Sequence, residues 1–242
     1  MKLITLNIWG GHLFEPLLDF FQRHQDVDVF CLQEVYHDAE KMITDEGREV
    51  HLDIFNRIQT VLPNHHGYFQ ACVDNIYGLA VFMHKRFDVI QSGYVDIYHN
   101  NAYTGIGPNH NRKLQWLTLQ NHEKQYTIGN VHGLWNGKGK TDSPDRLHQA
   151  DCIRAFIDTV TTPLILAGDF NLLPDTKSLH IIEENLNNLI YDYNITSTRT
   201  SYYEKPERFA DYVLISKDIS VKEFLVLPEE VSDHNALYLQ SN

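Results

Sequence analysis

The chain is built from short apolar runs, each long enough for one strand: Leu3 to Ile8, Val27 to Leu32, Gly78 to Met83, Leu114 to Leu119, Tyr126 to Val131, Leu164 to Ala167, Tyr212 to Ile215 and Ala236 to Leu239. Between some of them the apolar period changes to that of a helix, as at Leu13, Leu17, Leu18 and Phe21, and again at Ile54, Ile58 and Val61. A further helix opens at "SPDRLHQADCIRAFIDTV", with Ser143 as N-cap, Pro144 at the first helical position and Ala150, Ile153, Ile157 and Val160 as the apolar stripe. A shorter one is expected from Ser178 to Asn187. Strands outnumber helices and some follow one another directly, as on either side of "QNHEKQ". That order predicts mixed or antiparallel sheets with helices outside. A length of 242 residues fits one large domain spanning 1–242, and no linker or repeat divides it.

The ends of these runs carry the chemistry. In "PLILAGDFNLLPD" a buried run delivers Asp169 and Asn171, and a charge at such a place must reach a rim, a partner or a cation. Asn7 follows "LITL", Glu34 follows "VFCLQ" and His132 follows "YTIGNV", while Asp211 and the pair Asp233, His234 stand just before strands. In a sheet with antiparallel neighbours, strand ends and strand starts share a rim. So many carboxylates on one rim repel one another unless a cation sits among them. Hard oxygen donors without cysteine suit Mg²⁺ or Mn²⁺ better than zinc, and Mg²⁺ keeps waters that a phosphate can displace. With 20 Lys plus Arg against 32 Asp plus Glu, a formal net charge of -12, the surface offers no broad basic face for duplex nucleic acid. A metal-loaded site would still attract phosphate.

The segments "LNIWG", "LQEV", "GNVHGLW", "AGDFN", "FADYVLIS" and "SDHNAL", in that order over nearly the whole chain, resemble the endonuclease/exonuclease/phosphatase (DNase I-like) superfamily. The resemblance implies an α/β fold, a four-layer α/β/β/α sandwich with two packed mixed β-sheets flanked by helices. It also implies divalent-metal-dependent hydrolysis of phosphate esters. Carried over by position, Glu34 is the principal metal ligand, with Asn7 beside it and Asp233 a second metal-site carboxylate. Asp169 orients or deprotonates the attacking water, Asn171 bonds a phosphoryl oxygen, and His234 meets the phosphate with Asp211 fixing its tautomer. His132 donates to the phosphoryl group or the leaving oxygen. The "N-x-W-G" form around Trp9 is more like the sphingomyelinase-type branch than the abasic-site branch.

Arg112, which closes the polar loop "YHNNAYTGIGPNHNR", and the aromatics Trp135 and Tyr77 are candidate substrate contacts. A solvated arginine and aromatic rim packing are the alternatives for them. The stretch "GLWNGKGKT" is no P-loop, because Leu134 stands where that motif needs glycine. With no seryl elbow and no cysteine in an electropositive setting, water is the expected nucleophile.

These readings predict a Mg²⁺- or Mn²⁺-dependent phosphodiesterase of nucleic acid, nucleotide or phospholipid headgroup. A phosphomonoesterase of the sugar or inositol phosphate type is the alternative, and a catalytically silent binding protein that keeps the fold is the rival from another class. A nucleic-acid path would use Lys138, Lys140 and Arg112. Cys31, Cys72 and Cys152 are scattered, which predicts reduced thiols. Without a signal peptide or membrane anchor, a cytoplasmic monomer is expected.

Overall fold

The computed structural model describes residues 1–43, 49–103, 105, 107–121 and 124–242. Its strands are, in chain order, β1 (Lys2–Asn7), β2 (Val29–Tyr36), β3 (His65–Val73), β4 (Tyr77–His84), β5 (Asp88–Tyr98), β6 (Arg112–Asn121), β7 (Lys124–His132), β8 (Leu164–Asp169), β9 (Leu186–Asn188), β10 (Asp211–Ser216), β11 (Val221–Val226) and β12 (Leu237–Ser241). The helices are α1 (Phe14–Arg23), α2 (Ile54–Val61), α3 (Pro144–Thr159), α4 (Lys177–Glu183) and α5 (Leu189–Asp192), with a 3-10 turn at Trp9–Gly11.

Among the described residues the strands form two six-stranded mixed sheets, ordered β11-β12-β1-β2-β4-β3 and β5-β6-β7-β8-β10-β9. They make the four-layer α/β/β/α sandwich. The apolar runs are continuous because the central strands are covered on both faces. Leu3, Val29, Cys31, Val81 and Met83 belong to the cluster shared with the second sheet. Their neighbours Ile4, Leu6, Phe30, Leu32 and Phe82 pack with Leu17, Phe20 and Phe21 of α1 and Ile54 and Ile58 of α2. On the far side, Ala150, Ile153 and Ile157 of α3 cover the second sheet. Ser143 caps α3, its hydroxyl accepting from the Arg146 N–H at 3.3 Å, with Pro144 in the first turn.

Each sheet holds a parallel pair joined through a helix, β1 to β2 through α1 and β7 to β8 through α3. The two βαβ units end their strands at one rim, and the antiparallel β10 starts there, with Asp211 opposite Asp169. Between the sheets, the Gln33 amide donates to Asn130 Oδ1 at 2.7 Å, and Asn130 Nδ2 donates to the carbonyls of Leu32 at 3.0 Å and Ala80 at 3.1 Å. These bonds fix one sheet against the other directly below the rim.

Three sequence expectations differ from the structure. The helix expected over Ser178 to Asn187 stops at Glu183, and the chain turns through Asn185, φ 65°, into β9. Glu34 does not follow its strand but lies within β2, as the extra residue of a bulge. The strands β3, β5 and β11 have no counterpart in the apolar pattern. The long loop from Tyr98 to Arg112 joins β5 to β6, with its positions 104 and 106, like 122 and 123 of the β6–β7 turn, outside the described residues. All three cysteines are free thiols. Among the described residues no helix is long and apolar enough to cross a membrane.

Candidate active site

Local backbone geometry aims the polar residues. Gln33 pairs with Leu79 and Val35 with Gly78, so Glu34 is squeezed out of register with φ 61°. A non-glycine residue in this region is strained by ~1 kcal/mol or more, the kind of strain that clusters at functional sites. The bulge turns the Glu34 carboxylate toward the rim. In "AGDFN", Gly168 has φ 142°, and a Cβ there would meet the Val131 carbonyl at 2.1 Å. Only glycine lets β7 and β8 approach closely enough to set His132 opposite Asp169. Asn171 takes φ 52°, and its own N–H donates to Asp169 Oδ1 at 2.9 Å.

Asn7, at the end of β1, donates through Nδ2 to Glu34 Oε1 at 3.0 Å and to Asp169 Oδ2 at 3.1 Å, while its Oδ1 accepts the Trp9 N–H at 3.0 Å. Asn171 Nδ2 reaches both the Gly133 carbonyl and Asp169 Oδ2 at 3.3 Å. Nε2 of His132 lies 3.9 Å from Glu34 Oε1 and 3.8 Å from Asp169 Oδ2. On the other side His234 Nδ1 meets Asp211 Oδ1 at 2.7 Å, and Thr198 Oγ1 donates to Asp211 Oδ2 at 2.8 Å. His234 Nε2 is then left 3.7 Å from Asp169 Oδ2 and 3.9 Å from Asp233 Oδ1.

Burial governs the protonation of this cluster. It holds the His132 imidazole well below its ordinary value, with Arg112, His110 and His234 acting in the same direction. His234 is pushed down to about 3, first by burial and then by Arg199, while burial lifts the Asp211 carboxyl to about 6. His110 is likewise held well below its ordinary range by burial and Arg112. Burial thus favours the uncharged form of each imidazole in this pocket.

Every site residue expected from the sequence lies at this rim. Glu34, Asp169, Asn171, Asp233, His132, His234, Arg112, Trp135 and Tyr77 line one pocket, and Asn7 and Asp211 support it from behind. Lys140 lines it too, but Lys138 stands exposed and outside the lining, so the basic path expected through Lys138 is not built. Sequence reasoning missed His110, Arg199, Tyr203 and Lys205, which complete the wall. Arg199 lies in the turn-rich stretch 195–210 and reaches the site through an isolated bridge to His234. The signal available for it was two tyrosines and several basic residues close together in "TRTSYYEKPER".

The donor set fits a hard divalent cation: carboxylates from Glu34, Asp169 and Asp233 converge on one pocket with no thiolate among them. Asp169, Asp211 and His234 also offer ligand atoms within 4.8 Å of one another. In that second group, however, His234 Nδ1 and Asp211 Oδ1 are engaged with each other. Glu34 and Asp233 line the same pocket, Asn7 holding the Glu34 carboxylate in place, and are further carboxylates open to a cation.

The sequence profile of the Endonuclease/Exonuclease/phosphatase family matches residues 4–234. No curated protein matches the sequence. Among solved structures, a mannosyl-6-phosphatase of Bacteroides thetaiotaomicron superposes with TM-score 0.77 at 16% identity, covering 100% of this chain and 99% of that one. The human Nocturnin catalytic domain, solved with a bound sulfate anion, gives 0.68 at 19% identity, over 100% of this chain and 94% of that one. ANGEL2, described as a 2',3'-cyclic phosphatase, gives 0.71 at 16% identity, over 98% and 93% of the two chains. At such identities the likeness is one of fold.

Proposed function

The chain belongs to the Endonuclease/Exonuclease/phosphatase family, and from that premise we propose that it is a Mg²⁺- or Mn²⁺-dependent hydrolase that cleaves a phosphodiester by in-line attack of water. The observation that carries the reading is the convergence of Glu34, Asp169 and Asp233 with the Asp211–His234 pair in one pocket that also presents buried cationic side chains. Glu34 and Asp233, with Asn7 fixing Glu34, would hold a divalent cation, which when bound would supply charge neutralisation at the phosphoryl oxygens.

The rest falls to the protein's own groups. Asp169 is held by Asn7 Nδ2 and by the Asn171 backbone N–H, which stay in place when the Asn171 side chain moves, so one carboxylate edge stays fixed toward the pocket. It takes a proton from the attacking water as the water oxygen bonds to phosphorus and the ester P–O bond breaks. Asn171 Nδ2, held at rest by two long bonds of 3.3 Å, turns to a phosphoryl oxygen at little cost. His234 has Nδ1 engaged by Asp211, so the approaching phosphate charge favours the protonated ring and Nε2–H is donated to the phosphate. His132, neutral through burial, donates a hydrogen bond from Nε2–H to the leaving oxygen, which takes its proton from solvent, to which Asp169 returns the proton it took from the attacking water.

A second reading, phosphomonoester hydrolysis, is favoured by the buried Arg112 beside His110 and His132, since a monoester dianion matches that charge better than a diester. One assay separates the two: a generic diester and a generic monoester, each with Mg²⁺ or Mn²⁺ and with EDTA, using Asp169→Asn as control. Metal-dependent cleavage of the diester, lost in the variant, supports the primary reading, and cleavage of the monoester alone supports the second. Turnover that survives Asp169→Asn would sink the role given to that carboxylate.

A further inference from the structure

Phosphate ester hydrolysis leaves one wall of the pocket unexplained, the segment 134–141 that carries "LWNGKGKT". It is held from behind by Arg146, a fully buried side chain on the first turn of α3. Arg146 donates to the carbonyls of Leu134 at 3.3 Å, Thr141 at 2.6 Å and Gly139 at 2.5 Å. Gln149 adds an acceptor for the Leu134 N–H at 2.7 Å. A loop rich in glycine is thereby given a fixed shape, which sets Trp135 and Lys140 into the pocket.

Lys140 is 3% exposed; burial and Arg199 push its ammonium group down to about 8, against the pull of the Asp169, Asp211 and Asp233 carboxylates, with none of which it forms a hydrogen bond. It lies over the rings of Trp135 at 5.9 Å and Tyr203 at 5.6 Å. Arg199 stacks on Tyr203 at 4.0 Å, and its Nε and Nη1 are buried without a hydrogen-bond partner. Its nearest carboxylate is Asp233, at 3.6 Å. Lys205, exposed at the pocket mouth, lies over Trp135 at 4.7 Å. Burying a cation costs several kcal/mol, and an aromatic face returns only ~0.5–2 kcal/mol of it. Asp169, Asp211 and Asp233 offset part of that cost at Lys140 and Asp233 part of it at Arg199, and an anion arriving with the ligand would supply the hydrogen-bond acceptors that Arg199 lacks.

The phosphate being hydrolysed already has donors. Arg112 stands among Tyr77, His110 and His132, on the Glu34 side, and Asn171 and His234 face the same centre. Lys140 and Arg199 border that centre from the side of His234 and Asp233, Arg199 at 3.6 Å from Asp233 and Lys140 within reach of the charges of Asp169, Asp211 and Asp233. We propose that Lys140, Arg199 and Lys205, ranged along the rings of Trp135 and Tyr203, form a second anion subsite adjacent to the reaction centre. The substrate class it selects is phosphate esters with a second phosphate next to the one hydrolysed. This rests on the phosphate ester reading of the site.

Calorimetric titration in EDTA, where no turnover occurs, tests the subsite by itself. The wild-type protein is expected to bind pyrophosphate about tenfold more tightly than inorganic phosphate. Lys140→Met, close to the original volume, and Lys205→Ala, at an exposed position, should each shrink that preference to about threefold or less. Thermal melts identify any variant that has lost its fold. Equal affinity of the wild type for the two anions, or a preference retained in either folded variant, overturns the subsite. The hydrolase reading fails separately: a protein that prefers pyrophosphate in EDTA but cleaves no ester with Mg²⁺ keeps the subsite and loses the reaction. One that cleaves simple esters without the preference does the reverse.

Discussion

Burial acts in opposite senses on Asp211 and His234, lifting the carboxyl to about 6 and lowering the imidazole to about 3, against ordinary values of 3.8 and 6.5. Between those ordinary values the folded pair holds one proton on the carboxyl, and the unfolded pair holds one on the imidazole. Proton binding is balanced, so the pair adds no slope to stability in that window. Asp211→Asn breaks the balance. The unfolded chain still binds a proton at His234 below its ordinary value and the folded chain does not, so stability now rises with pH. Urea unfolding at a series of pH values should therefore show the variant losing stability relative to wild type as pH falls from about 6.5 toward 4. Parallel curves would refute the shared proton. The residues of this pair were legible in the sequence because each flanks an apolar strand. Arg199 and His110 were not, because they sit in irregular segments where position follows from tertiary packing.

At the scale of elements, the β2 bulge and the 134–141 loop are where structure adds most to sequence. Register opposite Gly78 is what displaces Glu34, and register is a long-range property that the run "VFCLQEV" does not encode by itself. Glu34→Gly is expected to leave stability unchanged or raise it by about 1 kcal/mol, since glycine adopts φ 61° without strain. It should abolish the response to divalent cations. A clear drop in melting temperature without metal would show that the carboxylate is structural. Arg146→Met deprives the carbonyls of Leu134, Gly139 and Thr141 of their donor, which costs about 3 kcal/mol in urea unfolding. It should raise KM more than it lowers kcat, because Arg146 donates to none of the reacting residues, only to the 134–141 loop. The central strands were legible as apolar runs, whereas β5 and β11 alternate exposed and part-buried residues at sheet edges and carry little apolar signal. The break between α4 and β9 escaped because "IIEENLNN" keeps a helical composition through Asn185.

For the whole molecule, a cation that binds the folded site and not the unfolded chain must stabilise the fold. Saturating Mg²⁺ or Mn²⁺ is expected to raise the melting temperature, by an amount equivalent to about 2.7 kcal/mol at a hundredfold excess over Kd, with EDTA reversing it. Asp233→Asn should reduce the rise. A melting curve indifferent to both metals would argue for a purely hydrogen-bonded cluster. Fold class was legible at this scale because both the number of apolar runs and their ordered polar ends belong to the chain as a whole. The contrast between a net charge of -12 and a pocket lined by Arg112, Arg199, Lys140 and Lys205 has a kinetic consequence. The outside repels anions over tens of ångströms while the hollow attracts them only at contact, so the molecule works as a charge filter. Added salt weakens the long-range barrier before it weakens the buried contacts. A small anionic ligand should therefore enter faster as ionic strength rises from ~10 to ~100 mM, opposite to the usual behaviour of electrostatically steered enzymes, and long polyanions should be turned away at the surface.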